Sequence, residues 1–136
     1  GHYVEALDLL RPTLTSQTNI LGAGHPGCVT TATLQGETLA ELGRLAEAVA
    51  VLRDTRARCT EALGADHPQS HFVASALGYA LLLQAGDSSE EARQLLVDAH
   101  AALLRVRGAE HTETKQAGAR VRLMEQESCD EPDRKK

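Results

Sequence analysis

Residues 43–68 decide the fold of this chain, and they read GRLAEAVAVLRDTRARCTEALGADHP. The stretch opens with the pattern Gly-x-x-x-Glu-Ala at Gly43 and closes with Leu-Gly-x-x-His-Pro at Leu63. Both patterns also occur 42 residues earlier, starting at Gly1 and Leu21, and a weaker copy follows in which His111 lies 44 residues after His67. Two patterns that recur at one shared spacing indicate tandem structural repeats.

Glycine and proline mark the ends of two helices in each repeat. Gly22, Gly64 and Gly108 stand where a helix needs a left-handed residue directly after its C-terminus, a conformation that glycine adopts without a Cβ penalty. His-Pro follows the first two, and a proline in the first turn of a helix loses no hydrogen bond. Gly43 and Gly86 close the other helix of each pair. The predicted helices span residues 3–21, 26–42, 45–63, 68–85, 89–107 and 112–127.

Small residues recur at matching positions of these helices. Ala6, Ala48 and Ala92 are equivalent in successive copies, and so are Gly36 and Gly78. Small side chains let paired helices approach closely, and the leucines beside them form an apolar stripe that only a neighbouring repeat buries. The predicted fold is therefore all-α, an α–α superhelix of about six antiparallel helices. It comprises a helical repeat domain at 1–127 and a polar, disordered C-terminal tail at 128–136.

Composition limits the classes of partner. The net charge of −5 comes from interspersed acids and bases, whereas a nucleic-acid-binding surface requires clustered cations. The longest aliphatic run, at residues 80–83, is too short to span a bilayer. Cys28, Cys59 and Cys129 are odd in number and widely spaced, which favours reduced thiols over a disulfide framework. We therefore expect a cytoplasmic or nuclear protein that binds neither nucleic acid nor membranes.

The pattern Gly-x-x-x-Glu-Ala … Leu-Gly-x-x-His-Pro resembles the tetratricopeptide repeat (TPR), in its longer variant of the kinesin-light-chain type. The resemblance implies a protein–protein interaction scaffold that binds a protein or peptide on its concave face and catalyses no reaction. In that family, paired asparagines on the first helix of each repeat often bind the peptide backbone. The corresponding pairs here are Thr33-Leu34, Ser75-Ala76 and Ala119-Arg120, so the asparagines are absent.

A second resemblance leaves an alternative open. TPR-like repeats without those asparagines form the C-terminal lobe of SET–MYND lysine methyltransferases, and residues 77–84, 104–111 and 124–130 look similar to that lobe. The alternative function is thus a regulatory lobe of an enzyme whose catalytic part lies outside this sequence.

No catalytic, cofactor-binding or metal-binding residue is predicted in these 136 residues. No nucleophile and base recur at a motif spacing, and no glycine-rich phosphate loop follows a strand. His67 and His71 are four residues apart, a spacing that zinc ligands use on helices. His67 is nevertheless explained by its copies His25 and His111 as a residue that starts a helix, and no cofactor is expected.

The predicted binding site is a groove along one stripe of the first helices of the repeats. Phe72 and Tyr79 are the candidate anchors for an apolar side chain, although packing between repeats is favoured for Phe72 and remains open for Tyr79. Glu37 and Arg120 are predicted to set a charge preference at opposite ends of the groove. The predicted partner-binding residues are Thr33, Glu37, Phe72, Ser75, Tyr79 and Arg120.

Overall fold

Six α-helices and their connections make up the described part of the chain, in a computed structural model. The structure describes residues 2–22, 24–85 and 89–134, of which 127–134 are described by their backbone alone. The helices are α1 (His2–Leu21), α2 (Pro26–Glu41), α3 (Leu45–Leu63), α4 (Pro68–Ala85), α5 (Glu90–Arg107) and α6 (Thr112–Arg134). Within the described residues all regular structure is helical, which confirms the predicted all-α fold of the TPR-like helical repeat kind.

The helices lie in two rows. Consecutive helices pack against each other, and in addition α4 contacts both α2 and α6. The helices α2, α4 and α6 therefore form an inner row, whereas α1, α3 and α5 form an outer row in which the backbones of neighbouring helices do not approach each other closely. Each outer helix packs against the inner row, as in a stack of repeats whose core is continuous from one repeat to the next.

The core repeats one packing device in the two central pairs of helices. A Cβ atom added to Gly36 on α2 would lie 2.5 Å from Cγ of Leu52 on α3, and one added to Gly78 on α4 would lie 2.9 Å from Cγ of Leu96 on α5. Both leucines are fully buried. The glycines thus form the holes into which the leucines insert, so the predicted close approach of the helices is confirmed.

The first helix departs from this pattern. Ala48 and Ala92 are fully buried, but the equivalent Ala6 is only half-buried, and Leu9 is exposed rather than part of a buried stripe. The reason is that α1 packs against α2 alone, whereas α3 and α5 each pack against two inner helices. Its outward face therefore has no neighbouring helix in the structure.

The loops that end the outer helices require glycine. Gly64 follows α3 with φ +97° and ψ +153°, and Gly108 follows α5 with φ +86° and ψ +162°. This extended conformation with positive φ is essentially restricted to glycine and differs from the left-handed helical one that usually ends helices. The prediction that glycine ends these helices is confirmed, and Gly86 lies outside the described residues.

The histidine after each of these loops caps the next helix. Nδ1 of His25 accepts a hydrogen bond from the backbone N–H of Gly27 at 3.0 Å, and Nδ1 of His67 does the same for Gln69 at 3.1 Å. In the third copy, Nδ1 of His111 accepts from the N–H of Glu113 at 3.1 Å. The imidazole thus provides an acceptor for one of the backbone donors that a helix leaves unsatisfied at its N-terminus.

Replacing His67 with alanine is expected to lower the free energy of unfolding by about 1 kcal/mol, because the N-terminus of α4 loses its capping acceptor. The His67→Asn variant is the matched control, since an asparagine oxygen is a good capping acceptor. Urea unfolding monitored by circular dichroism measures both variants. Equal losses in the two would contradict a capping role.

The last helix is longer than the sequence predicts, because α6 continues to Arg134 rather than ending at residue 127. No glycine follows Gly118, so the chain lacks the residue that ends the preceding helices. The sequence predicted a disordered tail at 128–136, whereas the backbone of residues 128–134 belongs to α6 in the structure. Residues 135 and 136 lie outside the described part. Among the described residues, no helix is both long and apolar enough to cross a membrane.

Candidate functional site

The inner row of helices carries the predicted groove residues and brings four of them together. Arg120 on α6 reaches across α4 to α2, and its side chain is only 8% exposed. Its Nη1 donates to Oγ of Ser75 at 3.0 Å, and its Nη2 donates to Oε2 of Glu37. The guanidinium carbon also lies 5.0 Å from the ring centre of Tyr79, in cation–π geometry. Arg120 therefore joins three helices through one side chain.

This arrangement corrects the predicted charge layout. Glu37 and Arg120 are not at opposite ends of a groove, because they form an ion pair with each other, and the Glu37 side chain is only 16% exposed. Nε2 of Gln116 also donates to Oε2 of Glu37, at 3.4 Å. The two charges compensate each other, so neither is available to set a charge preference for a partner.

Tyr79 is held between two charged groups. Besides its contact with Arg120, its hydroxyl donates a hydrogen bond to Oε1 of Glu41 at 3.3 Å. Burial raises the pKa of the Tyr79 phenol above its ordinary value, and the Glu41 carboxylate raises it further. The phenol is therefore protonated at neutral pH and serves as a hydrogen-bond donor on a half-buried ring.

Besides Arg120, three of the predicted groove residues are buried in the helix packing. Thr33 is fully buried and its Oγ1 donates to the carbonyl of Val29 at 2.7 Å, because a threonine inside a helix satisfies its hydroxyl on the preceding turn. Phe72 is also buried, so it does not line the groove as predicted. It packs between the helices instead, which the sequence favoured as the alternative. Ser75 is buried as well and contacts Arg120 rather than a free surface.

A hollow of about 320 Å³ lies beside this cluster, where α2, α4 and α6 meet, and we call it the inner hollow. Tyr79 and Arg120 line it as predicted from the sequence. The groove prediction did not include the other residues that line it, which are Glu41, Gln116, Ala119 and Leu123. Glu41 lies one helical turn after Glu37 on the same face of α2, so the helical period of the sequence could have predicted that it lines the groove.

A larger hollow, of about 620 Å³, lies in the outer row and is called here the outer groove. Its walls are α3 and α5, and its floor is α4, with Ala74 and Leu77 among the floor residues. Charged residues of both signs line the walls, including Arg53, Arg56 and Asp98, but no phenylalanine, tyrosine or tryptophan lines the groove. A second hollow, of about 190 Å³, occupies the equivalent place between α1 and α3.

Two ion pairs join α5 to α3 and to the loop after α3, beside the outer groove. Arg53 on α3 donates two hydrogen bonds of 2.8 Å to Glu91 on α5, and this pairing lowers the pKa of Glu91. Nη2 of Arg105 on α5 lies 2.8 Å from Oδ1 of Asp66 in the loop after α3. The hydrogen bond with His71 and the charge of Arg105 lower the pKa of Asp66. Because these pairs are largely exposed, each contributes little to stability.

The candidate metal pair has other partners. His67 caps α4 as described above, and Nε2 of His71 lies 3.0 Å from Oδ1 of Asp66. Among the described residues, no three histidine, cysteine, aspartate or glutamate side chains lie close enough to hold a metal ion together. Cys28 and Cys59 are free thiols buried in the packing.

A family model described as tetratricopeptide repeat matches residues 36–69, from the glycine of α2 that holds Leu52 to the start of α4. No curated protein matches the chain. The description names no subtype, so the kinesin-light-chain and SET–MYND resemblances remain predictions. The match, the paired helices and the recurring glycine–leucine contact together support a repeat protein of the tetratricopeptide type.

Proposed function

We propose that this chain is a non-catalytic protein–protein interaction module that binds a segment of a partner protein in the inner hollow. The observation that carries the proposal is the half-buried Tyr79 ring, which Arg120 and Glu41 hold at the wall of a hollow between three helices. Tyrosine and arginine are enriched among the residues that dominate binding energy. A ring fixed on both sides loses little conformational entropy when a partner contacts it.

The shape and composition of the hollow fit one side chain and its flanking backbone rather than a large flat interface. Its volume of about 320 Å³ lies at the lower end of the range for ligand pockets. Ala119 and Leu123 provide apolar walls, and Leu123 is 38% exposed. An aliphatic or aromatic side chain of a partner that covers these residues would remove their apolar surface from water.

The outer groove is larger but lacks an anchor of this kind. No phenylalanine, tyrosine or tryptophan lines it, and Arg53 in its wall is already paired with Glu91 on α5. A partner carboxylate that bound Arg53 would exchange one exposed ion pair for another, with little net gain. These features favour the inner hollow as the principal binding surface.

The test uses a phage-displayed library of random dodecapeptides, selected on the whole chain. The Tyr79→Ala variant is expected to weaken the binding of the selected peptides by at least tenfold, as the loss of a buried aromatic anchor would. Fluorescence anisotropy with labelled soluble peptides measures the dissociation constants, and circular dichroism checks that the variant is folded.

Arg56→Ala and Asp98→Ala are the control variants, because both residues line the outer groove and leave the inner hollow unchanged. The proposal predicts wild-type affinity for both. If these two variants weaken binding while Tyr79→Ala does not, the outer groove is the binding surface and the proposal is wrong.

A further inference from the structure

The carboxylate of Glu41 is the one charge at the inner hollow that has no counter-ion among the described residues. Glu41 is exposed, and the partner described for it is the Tyr79 hydroxyl, a neutral donor at the long distance of 3.3 Å. No arginine, lysine or histidine whose side chain is described lies within ion-pair distance of it, whereas Glu37 is paired with Arg120. The charges of the cluster thus sum to −1, and the excess charge lies at Glu41.

The geometry around this carboxylate places it at the rim of an apolar surface. Oε1 is occupied by the Tyr79 hydroxyl, which leaves Oε2 without a described partner. Across the hollow, Ala119 and Leu123 of α6 provide the apolar wall, and Tyr79 lies on α4, the helix that packs against both α2 and α6. A cation bound at Oε2 would therefore lie beside a side chain that packs on the ring and on Leu123.

We infer that the inner hollow selects partner segments in which a lysine or arginine lies next to an aliphatic or aromatic side chain. The apolar side chain packs on Tyr79 and Leu123, and the ammonium or guanidinium group forms an ion pair with Glu41. The inference rests on the proposed function, to which it adds the chemical class of the partner. Charge complementarity carries it, because the hollow has one uncompensated negative charge, and Arg120, the one cation among its described lining residues, is already paired with Glu37.

An acidic partner segment is disfavoured by the same contacts. For a carboxylate to bind Arg120, it would have to displace Glu37 from a guanidinium that is almost fully buried. The released Glu37 would then keep its charge in a largely desolvated place, which is costly. A carboxylate at the rim would also lie beside Glu41, where like charges repel each other.

The experiment exchanges charges between the hollow and a peptide. The probe is the most enriched soluble peptide from the dodecapeptide selection, and its charge-reversed form carries glutamate in place of its lysine or arginine. Dissociation constants are measured by fluorescence anisotropy for the wild-type chain and for Glu41→Lys. The matched control is Glu61→Lys, the same change at an exposed glutamate of the outer groove.

We expect lysine or arginine to be enriched beside an apolar residue in the selected peptides. Glu41→Lys should weaken binding of the original peptide by roughly fivefold, as for a partly exposed ion pair, and should strengthen binding of the charge-reversed peptide relative to the wild type. The loss should shrink as salt is raised, since salt screens rim charges. Glu61→Lys should leave both affinities unchanged.

Two results separate the failure of this inference from the failure of the proposed function. If Tyr79→Ala weakens binding but the charge exchange changes neither affinity, the partner class is wrong and the binding site stands. If the selected peptides bind equally well to Tyr79→Ala, or if the selection enriches no peptide, the proposed function itself is contradicted.

Discussion

The Glu37→Ala variant is expected to lose about 3–5 kcal/mol of unfolding free energy, the largest effect of any single exposed or half-buried charge in this protein. Arg120 is almost fully buried, and Glu37 is its only counter-ion among the described residues. Removal of the carboxylate leaves an arginine charge in a medium of low dielectric with only Ser75 as a hydrogen-bond acceptor and the Tyr79 ring beside it. The cost of this unpaired, buried charge falls on the folded state.

Urea unfolding of Glu37→Ala, Arg120→Met and the double variant measures this effect. The double variant should be more stable than Glu37→Ala, because it removes the uncompensated charge together with its former partner. The control is Glu47→Ala, which breaks the exposed pair with Arg44 and should change stability by less than about 1 kcal/mol. Equal losses for Glu37→Ala and Glu47→Ala would show that the pair across α2 and α6 contributes no more than a surface pair.

The second large effect is expected at the contact between Leu52 and Gly36. Leu52→Ala should lower the free energy of unfolding by about 2–5 kcal/mol, because it leaves a cavity at a fully buried position. Gly36→Ala should lower it by about 1–3 kcal/mol, because the added Cβ would lie 2.5 Å from Cγ of Leu52. The two changes compensate, since the methyl group added on α2 enters the space that the leucine leaves on α3.

The double variant Gly36→Ala/Leu52→Ala should therefore lose less stability than the sum of the single variants, by at least about 0.5 kcal/mol. Guanidinium chloride unfolding of the four proteins gives this coupling. Leu104→Ala is the matched control, because Leu104 lies on an outer helix and is 42% exposed, so its loss should be within about 0.5 kcal/mol. Strict additivity of Gly36→Ala and Leu52→Ala would contradict the proposed hole-and-knob packing.

The sequence was sufficient for the helices because their boundaries depend on local chemistry. Five of the six helices end within one residue of the predicted end, since glycine and the capping histidine act within a few residues of themselves. The repeat spacing was informative for the packing as well. Equivalent positions must meet equivalent neighbours in a stack, so Gly36 and Gly78 receive Leu52 and Leu96 in the same way.

The binding surface was predictable only as a face of the helices. Helical period placed Glu37, Ser75, Tyr79 and Arg120 on one stripe, and the structure brings these four residues together. The helical period does not predict how deeply a side chain is buried. It therefore did not distinguish the buried Thr33 from the exposed Glu41, which lies one turn after Glu37. Depth depends on how closely the adjacent inner helices approach each other.

The sequence by itself determined the repeat class, the helices of the described part and the residues that hold the two central pairs together, because all of these follow from patterns within one repeat. Only the tertiary structure decided that Arg120 forms an ion pair with Glu37, 83 positions away in the sequence, and that Glu41 has no counter-ion among the described side chains. A long arginine side chain can cross a whole helix to find a carboxylate. Which carboxylate it pairs with depends on the curvature with which successive repeats stack, and this curvature cannot be read from the sequence of one repeat.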